Sequence, residues 1–524
     1  MHDALPRLLL LLALLALTSA LAPRLRAPAP ALLALAGLAT ALVPGIPRIR
    51  LEPDLILVLF LPPLLYADAF QTSWLDFRRW LRPIVMLAVG LVVATILSVG
   101  WAAHWLLPTL PLSACWLLGA ILSPTDTVAV QAVIERLHVP RRITAILGGE
   151  SLVNDATGLV GVQVTVAVVL VGGFDAVDAA LSFARVAGLG VVVGLGVGAL
   201  FARLNTLFRD VHALFALSLL APYASYWLAD LLGASGVLAV VVSGFVVAWR
   251  IHSLDGDTRV GLYATWDMLT FVFNGLCFLL IGFAAPEIAA ADPAWVVAGL
   301  VITLIVMLTR MAWCFPGAYV PLFLSPRLRS SEGGYPPARA VAIVSWAGVR
   351  GAVSLAAALA LPTNLPDGAP FPGRSEIVAC TLIVVMATLL VQGLTLQPLI
   401  ALLGIRGEDD TASEVRTARE ALLAAGIARL DEFCSDHSCP ISVHHLRSLM
   451  DDELRALRDA DVEARKAAST RLAVSLDVRR AVVVAQRTEL LRLRDDGGIN
   501  DKTYTQLLLE LDRAHLALAK PAAR

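Results

Sequence analysis

The chain has 524 residues, 58% of them hydrophobic and 16% charged, and a mean hydropathy of +0.76. A soluble domain of that length has too little interior for so much apolar surface, and a net charge of −1 argues against a nucleic-acid partner. Residues 406–524 hold 40 of the 83 charges, 19 basic and 21 acidic, which separates a membrane part, 1–405, from a helical cytoplasmic tail, 406–524.

Apolar runs able to cross about 30 Å of hydrocarbon are expected at 5–22, 29–45, 54–71, 83–107, 112–134, 142–170, 182–203, 212–231, 235–250, 261–284, 294–319, 339–361 and 376–403, thirteen spans in all. Cytoplasmic loops collect arginine and lysine, which tests the count. Arg24 and Arg26, Arg78, Arg79 and Arg82, Arg136, Arg141 and Arg142, Arg203 and Arg209, Arg250 and Arg259, and Arg327, Arg329 and Arg339 fall on one side, with the tail. The opposite loops carry Asp175, Asp178, Asp230, Glu287 and Asp292. One loop dissents, with Arg48 and Arg50 outside, partly offset by Glu52 and Asp54. The reading is a multi-pass protein of the inner (plasma) membrane, N-terminus outside and C-terminus cytoplasmic. "LLLLLALLALTSALA" also fits a signal peptide, although the alternation needs no cleavage.

Cysteines at 115, 277, 314, 380, 434 and 439 are scattered and imply no disulfide framework. Lys466, Lys502 and Lys520 are the only lysines, so arginine is the membrane part's sole strong cation.

In the fifth span, "LLGAILSPTDTVAV" puts Asp126 about 14 residues from the outer end, roughly 21 Å along a helix. Pro124 removes a backbone donor and should unwind the helix there. In the sixth, "GGESLVNDATGLV" brings Asp155 to a similar depth, and in the twelfth "WAGVRGAVSL" sets Arg350 near the middle among glycines. An ionised side chain at mid-bilayer costs at least ~2.5–3.5 kcal/mol, so three at one depth point to a single polar site. Glu150 and Arg350 read as a structural ion pair, Asp126 and Asp155 as the functional carboxylates. Arg310, near the inner end of its span, reads as snorkelling to the interface. The fifth and twelfth spans both look broken, and each is followed by a span with polar insertions (Asn154 and Asp155; Gln392 and Gln397). An offset of seven inverts one unit relative to the other, the pattern of secondary transporters.

"SPTDTVAV", "GGESLVNDATGLV", "GVRGAVSLAAALALP" and "LVQGLTLQPL" together resemble the monovalent cation/proton antiporter family, sodium/proton exchanger type in its bacterial form, over about 50–405. "FNGLCFLLIGF" fits the bacterial branch too. The resemblance implies an all-α polytopic membrane protein of about thirteen transmembrane helices, with inverted repeats and two broken crossing helices. It implies that Asp155 alternately holds a proton and a cation. Asn154 before it gives the Asn-Asp pair associated with electroneutral exchange, with which the lack of a membrane lysine agrees. Asp126, Thr125 and Ser151 complete a sodium site at Asp126 and Asp155, and Glu150 with Arg350 matches the family's structural pair. A homodimer is implied, with a dimerisation part at about 1–82 and 182–284 and an ion-binding core at about 83–170 and 294–403. Gln397 departs from the arginine of animal exchangers, so their regulation does not transfer.

Mutual exclusion follows from the chemistry. The bare anion is the costly state, protonated and cation-bound forms are both neutralised, and one site takes one or the other. Oxygen ligands suit sodium or lithium; potassium/proton exchange is the alternative, and a non-transporting ion sensor a further one. No cofactor is required. An intramembrane serine protease would use Ser235 in "GASG", but the only histidine that follows in the membrane part is His252, at a loop edge. In the tail, "VRTAREALLAAGIARLDEF", "HHLRSLMDDELRALRDADVEARKAA", "LDVRRAVVVAQRTELLRLRDD" and a stretch near 502–519 read as amphipathic helices. Cys434, His437, Cys439, His444 and His445 gather there without a common zinc spacing.

Overall fold

The computed structural model describes residues 4–25, 28–44, 55–137, 139–171, 176–208, 210–251, 254, 256–284, 291–365, 368–405, 410–436, 441–458, 462–496, 507–508 and 510–512. It divides into two compact units, Met1–Gly407 and Glu408–Arg524.

The first unit is helical throughout its described residues apart from loops and one isolated bridge, Asn364 to Pro370. In chain order its main helices are α1 (Ala4–Leu25), α2 (Ala29–Ala41), α3 (Leu61–Gln71), α4 (Leu81–Leu106), α5 (Leu112–Ile121), α6 (Val128–Leu137), α7 (Arg141–Val171) and α8 (Ala176–Leu204). There follow α9 (Val211–Leu231), α10 (Gly236–Arg250), α11 (Gly256–Ala284), α12 (Pro293–Leu324), α13 (Ala338–Trp346), α14 (Ala352–Leu359) and α15 (Arg374–Leu403). Among the described residues, eight are long and apolar enough to cross a membrane: α1, α4, α7, α8, α9, α11, α12 and α15. Shorter apolar helices lie at Ala29–Ala41, Val58–Gln71, Leu112–Ile121 and Gly236–Arg250.

The breaks fall where the sequence places them. Leu122 to Thr127 is unwound between α5 and α6, and Ala347 to Gly351 between α13 and α14. Pro124 supplies no N–H to continue α5, and the Asp126 side chain accepts from Val128 N–H (2.9 Å) to start α6. By contrast α7 follows Pro140 and runs unbroken for 31 residues.

Small residues let helices approach where no hydrophobic effect drives them together. Gly190, Gly194 and Gly198, four apart on α8, face Ser235, Ala239 and Ser243 of α10. Ser235 also caps α10, its hydroxyl accepting from Leu238 N–H (3.3 Å), so the residue of "GASG" starts a helix. His252 lies outside the described residues.

The second unit contains α16 (Asp410–Asp436), α17 (Ile441–Arg458) and α18 (Val462–Asp495). Arg447 on α17 bonds Asp431 on α16 at 2.5 and 3.2 Å, holding that carboxyl below the usual carboxylate range. Cys434 is disulfide-bonded, a link that the scattered cysteine spacing did not imply. His437, Cys439 and most of 502–519 lie outside the described residues. His444 and His445 stand exposed on α17.

Candidate functional site

The unwound segments meet. Asp126 N–H donates to Val349 C=O at 2.8 Å, a main-chain bond joining the two breaks. Arg350 reaches back across the junction, its Nε donating to Leu122 C=O (2.6 Å) and its Nη1 to Gly348 C=O (2.8 Å). Those carbonyls lie just past the C-terminal ends of α5 and α13, where helix dipoles are negative and a cation is favoured. Gly351 is required by proximity, since a Cβ there would run into the Asp126 side chain.

The ion pair differs from the sequence expectation. Glu150 is held by Arg310, not by Arg350: both Glu150 oxygens take a guanidinium nitrogen, Oε2 from Nη2 at 2.8 Å, and both side chains are 1% exposed. Arg310 also donates to Val344 C=O, from Nε at 3.1 Å and Nη2 at 2.9 Å. Snorkelling is corrected with it. Helix α12 continues to Leu324, so Arg310 lies near its middle and not close to an aqueous end.

Helix periodicity then sorts the polar residues of α7. Glu150 and Asn154 are four apart, as are Ser151 and Asp155, giving two adjacent rows. The first row faces protein. Asn154 Nδ2 donates to Ser123 C=O (3.3 Å) and to Thr125 Oγ1 (3.2 Å), while Thr125 Oγ1 donates to Glu150 Oε1 (3.4 Å). Ser151 and Asp155, in the second row, line a cavity of about 50 Å³ with Thr125, Asp126 and Gly351. Ser151 Oγ also donates to Thr125 C=O at 2.8 Å. Of the sequence-derived candidates, Asp155, Asp126, Thr125 and Ser151 therefore share one cavity, and Asn154 packs behind it, fully buried.

Several lining residues escape the sequence reading, among them a carboxylate and an amide. Asp68 comes from α3 and Asn274 from α11. Asp68 also lines a larger cavity of about 260 Å³, which shares Thr127 and Ser151 with the first and reaches Asp76 and Arg141 at the end of the bundle. Asp68 is exposed into this space. The signal was present as a lone carboxylate in "LLYADAF".

The chemistry follows from what is committed elsewhere. Arg310 is engaged by Glu150 and Arg350 by backbone carbonyls. Asp126 and Asp155 thus share a small space without a paired arginine among the described residues, an arrangement that favours a proton or a small cation as the neutralising partner.

Comparison with known proteins agrees with that chemistry. The family model for the transmembrane part of sodium/hydrogen exchangers matches residues 10–402. An uncharacterized Na+/H+ exchanger of Mycobacterium tuberculosis (strain ATCC 25618 / H37Rv) is 34% identical over 524 residues, covering 98% of this chain and 96% of its own. The sodium, potassium, lithium and rubidium/H+ antiporter of Bacillus pumilus (strain SAFR-032) is 32% identical over 455 residues, covering 83% and 66%. The structure of the sodium proton antiporter MjNhaP1 from Methanocaldococcus jannaschii superposes with a TM-score of 0.60 at 22% identity, covering 76% of this chain and 99% of that one, a likeness of fold.

Proposed function

The chain belongs to the sodium/hydrogen exchanger family, and on that footing we propose that it exchanges sodium or lithium for protons by alternating access, with Asp155 as the carboxylate shared between the two. The observation that carries this reading is the row of Ser151 and Asp155 opening on a cavity with Asp126, while the buried arginines are engaged elsewhere. Sodium as cargo would be held by Asp126, Asp155, Thr125, Ser151, water and the unwound backbone. If the core crosses only when Asp155 is neutralised, one ion must leave before the other returns, and no ATP is needed. With the arginine-bearing end in the cytoplasm, the larger cavity is the inward-facing approach.

The reading extends to thirteen crossings in the plasma membrane, N-terminus outside, and to a homodimer in which about 1–82 and 182–284 form the fixed part and about 83–170 and 294–403 the moving one. Electroneutral exchange fits an Asn154 that serves as a hydrogen-bond donor and not as a second carboxylate. Potassium is the second reading, favoured by the cations in the names of the Bacillus relatives.

Everted vesicles test the proposal. Sodium should dissipate an acid-inside gradient, and Asp155→Asn should abolish this; an unaltered response in the variant would overturn the role of Asp155. Lithium and potassium in the same assay decide the cargo. Clamping the voltage with valinomycin and potassium should leave the sodium response unchanged, and strong voltage dependence would remove electroneutrality.

A further inference from the structure

A second built feature lies away from the carboxylates. Where α15 ends, Arg339 donates to Leu403 C=O (3.3 Å), marking the end of the bundle that gathers arginines. There Arg82 and Arg142 converge on Glu332: Arg82 bonds both carboxylate oxygens, Oε2 at 2.9 Å, and Arg142 Nη2 bonds Oε2 at 3.3 Å. The Arg142 guanidinium lies 4.3 Å from the Trp80 ring centroid, and Arg79 lies 5.4 Å from the same ring. Two cations share one carboxylate, so the cluster keeps a positive surplus.

Beneath them is a cavity of about 70 Å³ between α4, α7, α12 and α13. Met86, Ile146, Trp313, Val341 and Val344 wall it, and Arg82 and Arg142 are its charged lining residues. The Trp313 indole N–H is already given to Met86 C=O at 2.9 Å. On the same helices α4 and α12, the apolar residues Val85, Val320 and Phe323 are 42, 49 and 76% exposed, the kind of surface acyl chains cover.

We propose that this is a binding site for one anionic phospholipid, its phosphate on Arg82 and Arg142 and the start of an acyl chain in the apolar cavity. Charge selects the headgroup, because a zwitterionic lipid would bring its own cation against the guanidinium pair. Shape selects an amphiphile, because a free anion would leave the apolar walls uncovered. The bound lipid would tie four elements together at the arginine-bearing end, and it does not depend on which cation the carboxylates carry.

The test uses the purified, delipidated full chain, with thermal stability and native mass spectrometry as readouts. Phosphatidylglycerol should raise the melting temperature saturably and remain bound at one molecule per chain, whereas phosphatidylcholine of the same chains and inorganic phosphate should do neither. Arg142→Gln should raise the phosphatidylglycerol concentration for half-effect about tenfold, the loss of one charge-assisted contact. Ala340→Leu, which keeps both guanidiniums and fills the cavity from α13, should do the same and carries the test if Arg142→Gln fails to fold. An equal shift with phosphatidylcholine overturns the charge selection, an equal shift with phosphate overturns the amphiphile, and an unchanged response in the variants overturns the site.

Discussion

Glu150 and Asp155 sit five residues apart on one unbroken helix yet face different surroundings: Glu150 is locked to Arg310, and Asp155 lines a cavity with Asp126. Five residues turn a helix by about 500°, so the two point some 140° apart around the axis. One carboxylate is buried in an ion pair while the other opens on a cavity.

That division predicts opposite stability effects. Glu150→Gln should strand the Arg310 guanidinium in a buried site and cost about 3–5 kcal/mol. Asp155→Asn removes a carboxylate without a paired arginine and should leave the melting temperature equal or raised. Thermal denaturation of the detergent-purified variants checks both, and equal losses would refute the split.

Asn154→Asp should destabilise by about 1–3 kcal/mol, because a carboxylate cannot donate to Ser123 C=O and Thr125 Oγ1. The same melting experiment decides it. Wild-type stability would mean that these donor bonds contribute nothing.

Gly351→Ala should abolish exchange in protein that still reaches the membrane, since the added methyl meets Asp126. Gly393→Ala, on α15 with nothing within 4 Å of the new methyl, should transport normally. Vesicle assays on the pair separate a local clash from a general intolerance of alanine.

Asp68→Asn should raise the cation concentration for half-maximal exchange, on the order of tenfold, with the maximal rate largely kept, because Asp68 lines both cavities and so contributes potential to the approach. Concentration dependence of the vesicle response measures this, and an unchanged half-saturation would place Asp68 outside the path.

Much of this was legible along the chain. Pro124 announces the first break through a missing N–H, Gly348 and Gly351 the second, and Asp155 stands out because charge is costly at that depth. The partner of Glu150 was not legible. Arginine position was judged by distance to the nearest span end, and α12 runs five residues past the expected 319, which moves Arg310 inward and frees Arg350 for the carbonyls. Asp68 is a lone carboxylate three residues from an expected span end, where a carboxylate normally meets water and draws no notice; in the fold it lines both cavities, the smaller of them with Asp155.

The main-chain bond from Asp126 to Val349 has a mechanical meaning. With Arg350 clasping Leu122, it ties two interrupted helices together at the segments that lack their own helical hydrogen bonds. Neither interruption can act as a free hinge. Under the proposed alternating access, a stroke that shifts one must carry the other, so the crossing would travel as a single cartridge.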